Sequence, residues 1–125
     1  MIIDKNILKY GICKDVTLKT ALKKLQDNKE RLLFVTNDRG NLEGVLTDGD
    51  IRSWLLKQRN VDLHFPINSM MNTNYIFAPI TNSKKQIVKM LSSTILAIPL
   101  VDQYNHLVGV AKPRIKEIAI QNFVI

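Results

Sequence analysis

Residues 32–50 read LLFVTNDRGNLEGVLTDGD, and residues 97–115 read AIPLVDQYNHLVGVAKPRI. Both stretches have a short apolar run, a polar turn and a second apolar run that contains a glycine. A shift of 65 residues brings these features, and apolar positions further upstream, into one register. The matched pairs are Leu22 with Ile87, Leu25 with Met90, Leu33 with Ile98, Val35 with Leu100, Leu42 with Leu107, Gly44 with Gly109 and Val45 with Val110. The chain is therefore interpreted as two copies of one supersecondary unit.

Each copy is predicted to form helix, strand, strand and helix, an α+β fold of the α/β sandwich-like type. Leu18, Ala21, Leu22 and Leu25 recur at helical spacing, and Thr17 has the residue type of an N-cap. The first copy is predicted to have helices at 17–28 and 48–57 and strands at 32–36 and 42–46. The second copy is predicted to have helices at 83–92 and 113–120 and strands at 97–101 and 107–111. Residues 58–71 are predicted to be a connector with a short helical turn, followed by an extended entry at 74–78.

Composition excludes several classes of protein. The chain has 125 residues, 46% of them hydrophobic, and no run approaches the roughly 18 apolar residues of a membrane helix. Its single cysteine, Cys13, can form no internal disulfide, which is typical of a reducing compartment. We therefore expect a cytoplasmic protein that does not enter the membrane.

The net charge of +7 raises the question of nucleic-acid binding. The lysines and arginines are spread along the outer faces of the predicted helices, without interleaved aromatic residues or a recognised nucleic-acid motif. We therefore predict a solvated basic surface and no nucleic-acid partner. Part of this charge could also attract a small anionic ligand.

The residues Gly44-Val45-Leu46-Thr47-Asp48-Gly49-Asp50, at the end of the first hairpin, resemble a signature of CBS domains. In the second copy Ile98-Pro99-Leu100-Val101-Asp102 resembles the first strand of that family. The resemblance covers residues 17–120 and implies a CBS pair, or Bateman module, with its repeats packed sheet to sheet in pseudo-twofold symmetry. The first repeat with its lead-in would occupy residues 1–60, and the linker and second repeat residues 61–125.

The form Thr47-Asp48-Gly49-Asp50-Ile51-Arg52 resembles a narrower group of CBS pairs. That group accompanies bacterial enzymes that make surface sugars. The apolar segment 121–125 is similar to the one that leads into the catalytic domain of sugar-phosphate nucleotidyltransferases. We therefore expect a regulatory piece of such an enzyme, in surface polysaccharide synthesis.

The resemblance implies that Thr47 and Asp50 contact the ribose and phosphate of a nucleotide such as AMP or ATP. A carboxylate can accept hydrogen bonds from both hydroxyls of a ribose diol, and a hydroxyl beside the unpaired amides of a helix start suits a phosphate oxygen. Gly49 would let the ligand approach the backbone closely. The resemblance also implies a base pocket lined by Asp15, Val16, Leu33 and Phe34.

A second interpretation of Thr47 and Asp50 needs no ligand. Thr-x-x-Asp is a shorter-armed version of the capping box, worth about 1 kcal/mol to the helix. Asp48 would repel a phosphate at the helix start, and a site there could instead suit an uncharged sugar or a nucleoside portion. The sequence leaves both interpretations open.

The second copy departs from the signature. Lys112 stands at the position equivalent to Thr47, and Ile115 at the position equivalent to Asp50. Because isoleucine cannot accept a hydrogen bond from ribose, we predict one asymmetric site in the first copy. Lys112 and Arg114 would contact phosphate or simply be solvated.

Motifs of catalysis and of metal binding are missing from the sequence. His64 and His106 have no cysteine, aspartate or glutamate at metal-ligand spacing. Trp54 and the methionines Met70, Met71 and Met90 are interpreted as packing residues. We predict a non-catalytic regulatory module, without a resident cofactor, that binds a nucleotide, forms a homodimer through its helices and modulates an attached enzyme. The alternative is a structural dimerisation module with a vestigial pocket.

Overall fold

A computed structural model describes residues 1–114 and contains three α-helices and seven strands in that range. Residues 115–125 lie outside the described part of the chain. They include most of the helix predicted for 113–120, Ile115 at the position equivalent to Asp50, and the apolar segment 121–125. The strands are β1 Ile2–Asp4, β2 Gly11–Cys13, β3 Leu32–Thr36, β4 Leu42–Thr47, β5 Ala78–Pro79, β6 Ile98–Val101 and β7 Leu107–Lys112. The helices are α1 Leu18–Gln26, α2 Asp48–Leu56 and α3 Lys84–Met90. The predicted α+β class is confirmed.

The chain divides into two compact units. The first-repeat unit is Leu8–Tyr75, and its sheet has the order β2-β3-β4, with β2 parallel and β4 antiparallel to β3. The second-repeat unit consists of Met1–Ile7 and the described residues from Ile76 onward, and its sheet has the order β1-β7-β6-β5. The boundary at residue 60, drawn from the repeat alone, stays a prediction.

The core of the first-repeat unit forms because both its helices and its central strands present apolar faces. Leu18, Ala21 and Leu25 recur at helical spacing on α1 and are buried. They belong to one cluster with residues of β2, β3, β4, α2 and the connector. The other members of that cluster are Ile12, Leu33, Val35, Leu46, Ile51, Ile67 and Met70.

The connector is an integral part of this unit. It enters a 3-10 turn at Ile67–Ser69, close to the predicted helical turn. The amides of Leu18 and Lys19 donate to the carbonyls of Phe65 and Leu63, at 2.8 and 3.0 Å. The first two amides of α1 thus find their acceptors in the connector, and the third, that of Thr20, donates to the Thr17 side chain.

The described part of the second-repeat core includes the N-terminal strand. Its buried residues are Ala78, Ile87, Leu91, Ile98, Leu100 and Ala111, and Met1 and Ile3 pack against them. β1 pairs antiparallel with β7, where Ile3 is opposite Ala111. Within residues 1–114 no helix is long and apolar enough to cross a membrane.

Candidate functional site

The junction between β4 and α2 is a complete capping box. The Thr47 side-chain oxygen accepts from the Asp50 amide at 3.1 Å, and Asp50 Oδ2 accepts from the Thr47 amide at 3.0 Å. The Thr47 hydroxyl also donates to Asp50 Oδ2, at 3.0 Å. Three hydrogen bonds therefore fix both predicted site residues, and the Thr47 proton is directed to Asp50.

The capping box leaves other groups of the junction open. Asp50 Oδ1 has no hydrogen-bond donor among the described residues, because all the bonds to this carboxylate use Oδ2. The amides of Asp48 and Gly49, the first two helical residues, have no acceptor within residues 1–114. The junction thus offers one oriented carboxylate oxygen and two backbone donors.

Asp48 is paired with a guanidinium. Arg31 Nε donates to Asp48 Oδ2, and this hydrogen bond, followed by the charge of Asp48, raises the pKa of Arg31. Arg31 adopts the left-handed conformation, with φ of 54°, immediately before β3. The repulsion of a phosphate by Asp48, anticipated from the sequence, is therefore partly offset by Arg31.

The backbone conformation at residue 49 does not require a glycine. A Cβ atom at this position would lie 3.6 Å from Thr47 Oγ1 and 4.0 Å from Arg52 Nη2, which are ordinary contacts. The glycine leaves the first turn of α2 free of side-chain bulk beside its open amide, and its role in ligand approach stays a prediction.

A cleft of about 250 Å³ runs along α2 and includes Asp50. One wall is the helix face at i, i+3, i+4 and i+7, and the other is the connector after its 3-10 turn. We call it the α2 cleft, and its lining residues are Asp50, Ser53, Trp54, Lys57, Ser69, Met70, Met71 and Asn72. Sequence reasoning missed it, although the helical spacing of Asp50, Ser53, Trp54 and Lys57 was visible.

The aromatic and sulfur-containing residues of the α2 cleft also pack, as predicted. Met70 is buried in the first-repeat core, and Trp54 and Met71 are partly buried against it. The Trp54 ring meets Phe65 edge to face, with centroids 5.4 Å apart. Trp54 thus belongs both to the core and to the wall of the cleft.

The four residues of the expected base pocket do not line the α2 cleft. Asp15 and Val16 follow β2, at the Thr36 end of β3, whereas Thr47 is opposite Leu32 at the other end. Four strand steps of about 3.3 Å separate these ends by roughly 13 Å. Asp15 is exposed, and Val16 packs against the core.

Leu33 and Phe34 are both buried, but as neighbours on a strand they face opposite sides of the sheet. Leu33 belongs to the helix-covered core, and Phe34 packs beside Tyr10, with ring centroids 6.4 Å apart. The structure does not bring these residues together with Asp50 in the α2 cleft, and their role as a base pocket stays a prediction.

In the second repeat, the lysine at the position of Thr47 has a structural partner. Lys112 Nζ lies 3.6 Å from Asp4 Oδ2, and only 18% of its side chain is exposed. Lys112 thus ties β7 to β1, while Arg114 is exposed.

This unit has a cleft of its own, of about 290 Å³, between the end of β5 and the β6–β7 turn. Its side chains include Phe77, Ile80 and Val101. Asp102, also on its wall, accepts from the turn amides of Tyr104 and His106. The described residues contain no group of three or more histidine, cysteine or acidic side chains that could hold a metal ion.

Comparison with known proteins agrees with this architecture. The CBS domain model matches residues 11–57 and 67–113. A CBS domain-containing protein of Dictyostelium discoideum is 32% identical over 114 residues, which cover 80% of this chain and 76% of that one. Both repeats predicted from the sequence thus correspond to CBS domains.

Solved structures share the fold at low sequence identity. The Listeria monocytogenes CbpB protein, in complex with c-di-AMP, is 19% identical with a TM-score of 0.73, over 91% of this chain and 87% of that one. The cytosolic domain of the Mg²⁺ channel MgtE, in complex with ATP, is 17% identical with a TM-score of 0.67, over 90% of this chain and 44% of that one. Because the family model matches more than half of the chain, in two successive repeats, the protein belongs to the CBS domain family as a tandem pair.

Proposed function

We propose that this CBS pair is a regulatory module that binds an adenine or other nucleotide at the junction of β4 and α2. The proposal rests on the Asp50 carboxylate, whose two oxygens differ in their hydrogen bonding. Oδ2 is fixed by the capping box, and Oδ1 has no donor among the described residues. A ribose hydroxyl is a suitable donor for that oxygen.

The cap and the ligand site are compatible in this arrangement. Hydrogen bonds to Thr47 already restrain the Asp50 side chain in the folded protein. Ligand binding therefore costs little further rotamer entropy at this residue. Gly49 leaves space for the ligand, and the amides of Asp48 and Gly49 supply hydrogen-bond donors. The nucleotides bound by two structurally similar proteins, c-di-AMP and ATP, support the ligand class.

Titration calorimetry with AMP, ATP, GTP and c-di-AMP tests the proposal. We expect micromolar binding of at least one nucleotide, abolished by Asp50→Ala and weakened about tenfold by Asp50→Asn, because a charged acceptor binds hydroxyls more strongly than an amide oxygen. Ser83→Ala is the matched control. It removes the side chain that caps α3 in the other unit, at a cost of about 1 kcal/mol, and should leave binding unchanged.

A structural module is the second candidate function. It is favoured by the fact that Thr47 and Asp50 satisfy each other without a ligand, and by the exposure of Leu22 and Leu56 on α1 and α2. In that case no nucleotide would bind. The homodimer held through the helices, which we expect in both cases, would then itself be the function of the module.

The regulated partner is part of the same proposal. The resemblance of residues 47–52 to modules of sugar-phosphate nucleotidyltransferases supports an attached enzyme of that class, in the cytoplasm. A nucleotide would regulate it by binding one arrangement of the module more tightly than another. Assay of the full-length protein with and without nucleotide tests this coupling.

A further inference from the structure

The wall of the α2 cleft that belongs to α2 has an ordered set of charges. Asp50 is at one end and Lys57 at the other, with Ser53 between them. Seven helical residues span about 10 Å along the axis. Lys57, the C-cap residue of α2, lines the same cleft as Asp50.

Three hydrogen-bond donors of the cleft have no acceptor among the described residues. These are the Ser53 hydroxyl, the Lys57 ammonium and the side-chain amide nitrogen of Asn72. The Asn72 side-chain oxygen accepts from the Asn74 amide at 2.9 Å, so its nitrogen is the group left to donate to a ligand. Donors of this kind around one cavity are suited to an anion.

The start of α2 is less suited to an anion than the cleft. The Thr47 proton is donated to Asp50, and two carboxylates, Asp48 and Asp50, lie in the first turn. Arg31 is ion-paired with Asp48 there, and Arg52 Nη2 lies 4.0 Å from the Cβ position of Gly49, so two cations and two carboxylates share the helix start. The α2 cleft instead has Lys57 two turns further along the helix.

We propose that the α2 cleft binds the phosphate of a mononucleotide through Lys57, with Ser53 and Asn72 as additional donors, while the ribose hydroxyls bind Asp50. This inference rests on the proposed function, since it requires ribose at Asp50. A cleft of about 250 Å³ lies just below the usual range of about 300–1,000 Å³ for small-molecule sites. This small volume favours a mononucleotide over the larger cyclic dinucleotide.

Calorimetry of the full chain with adenosine, AMP and c-di-AMP tests the inference. The wild-type protein should bind AMP about tenfold more tightly than adenosine, as expected for a charge-assisted contact. Lys57→Gln should lose that preference without changing the affinity for adenosine, and Lys57→Arg should retain most of it. Arg59→Gln, which removes the same charge at an exposed position outside the cleft, should keep the preference.

Each contrary outcome has a definite meaning. If Lys57→Gln keeps the preference for AMP while Asp50→Ala still abolishes binding, the phosphate site is wrong and the proposed function stands. Tighter binding of c-di-AMP than of AMP would overturn the assignment to mononucleotides. The absence of binding by any of the three ligands would overturn this inference, and the absence of binding by ATP and GTP as well would overturn the proposed function. Because Lys57 is exposed, a thermal melt should show that its variants remain folded.

Discussion

Two glycines that are equivalent in the repeat have different surroundings. A Cβ on Gly44 would lie 2.8 Å from Met71 Sδ and 3.1 Å from the Asn72 carbonyl oxygen. At Gly109 the nearest atom, Ile3 Cγ2, would be 3.5 Å away. The connector thus approaches β4 more closely than β1 approaches β7, and only the first glycine is required for lack of space.

We predict opposite effects of alanine at these positions. Gly44→Ala should lower the free energy of unfolding by about 1–2 kcal/mol, because Met71 must move and the Asn72 backbone is held to Val45 by two hydrogen bonds. Gly109→Ala should be neutral or stabilising by up to about 1 kcal/mol, because alanine loses less entropy in a strand. Urea unfolding of both variants measures the difference, and equal effects would contradict the close approach.

The sequence could identify both glycines and the Thr47–Asp50 pair, because these follow from the repeat and from residue type. It could not distinguish Gly44 from Gly109, since the difference comes from the connector, 27 residues further along. It also left the cap and the ligand as alternatives for Asp50. The use of separate carboxylate oxygens becomes visible only with coordinates.

At the scale of elements, the two hairpins use the same turn with different side chains. Asn37 Oδ1 accepts from the amides of Arg39 and Asn41, at 2.9 and 3.0 Å. Asp102, its equivalent in the repeat, accepts from the amides two and four residues later, both at 2.9 Å. A neutral amide thus organises the first turn, and a carboxylate organises the second.

This difference predicts a pH dependence of stability. The pKa of Asp102 is lowered, chiefly because the His106 amide donates to it, with smaller contributions from the Tyr104 amide and the His106 ring against an opposing effect of burial. A lowered pKa in the folded state means that the stabilisation is complete above the ordinary aspartate value of about 3.9. It is lost as pH falls through the depressed pKa.

Asp102→Asn should therefore be less stable than the wild type at pH 6. The difference should shrink as pH falls below about 3.9, where the protonated carboxyl comes to resemble the amide. Urea unfolding from pH 6 to pH 2 measures it. Asp38→Asn, which removes an exposed carboxylate from the first turn, is the control and should not reproduce this trend. A difference independent of pH would show that the charge of Asp102 does not contribute.

The longer elements could be predicted from the sequence because their periodicity is strong. β3 has the predicted bounds, and β4 and α2 differ from theirs by one residue. β1, β2 and β5 have only two or three residues each, too few to show a strand period. These short segments form strands because they pair with the edge of a neighbouring strand, and that pairing is a property of the tertiary fold.

At the scale of the whole molecule, each repeat is completed by the segment that precedes the other repeat. The segment before the second repeat contributes Asn72, which bridges to Val45 of β4. The segment before the first repeat contributes β1, which pairs with β7 and places Asp4 opposite Val110. Val45 and Val110 are equivalent positions, so the chain uses the same strand edge twice. A single domain boundary placed along the sequence cannot describe this exchange of segments between the repeats.

The exchange predicts that the N-terminal strand stabilises the most distant part of the described chain. Deleting residues 2–6 removes the partner of β7, the apolar contact of Ile3 with the second-repeat core, and the Asp4 carboxylate beside Lys112. In hydrogen exchange, the amides of β6 and β7 should then lose protection by about tenfold or more, while those of β3 and β4 keep theirs, because β3 and β4 belong to the other compact unit. Unchanged protection of β7 would show that β1 contributes little to the sheet. Equal losses in both sheets would show that the two units open together.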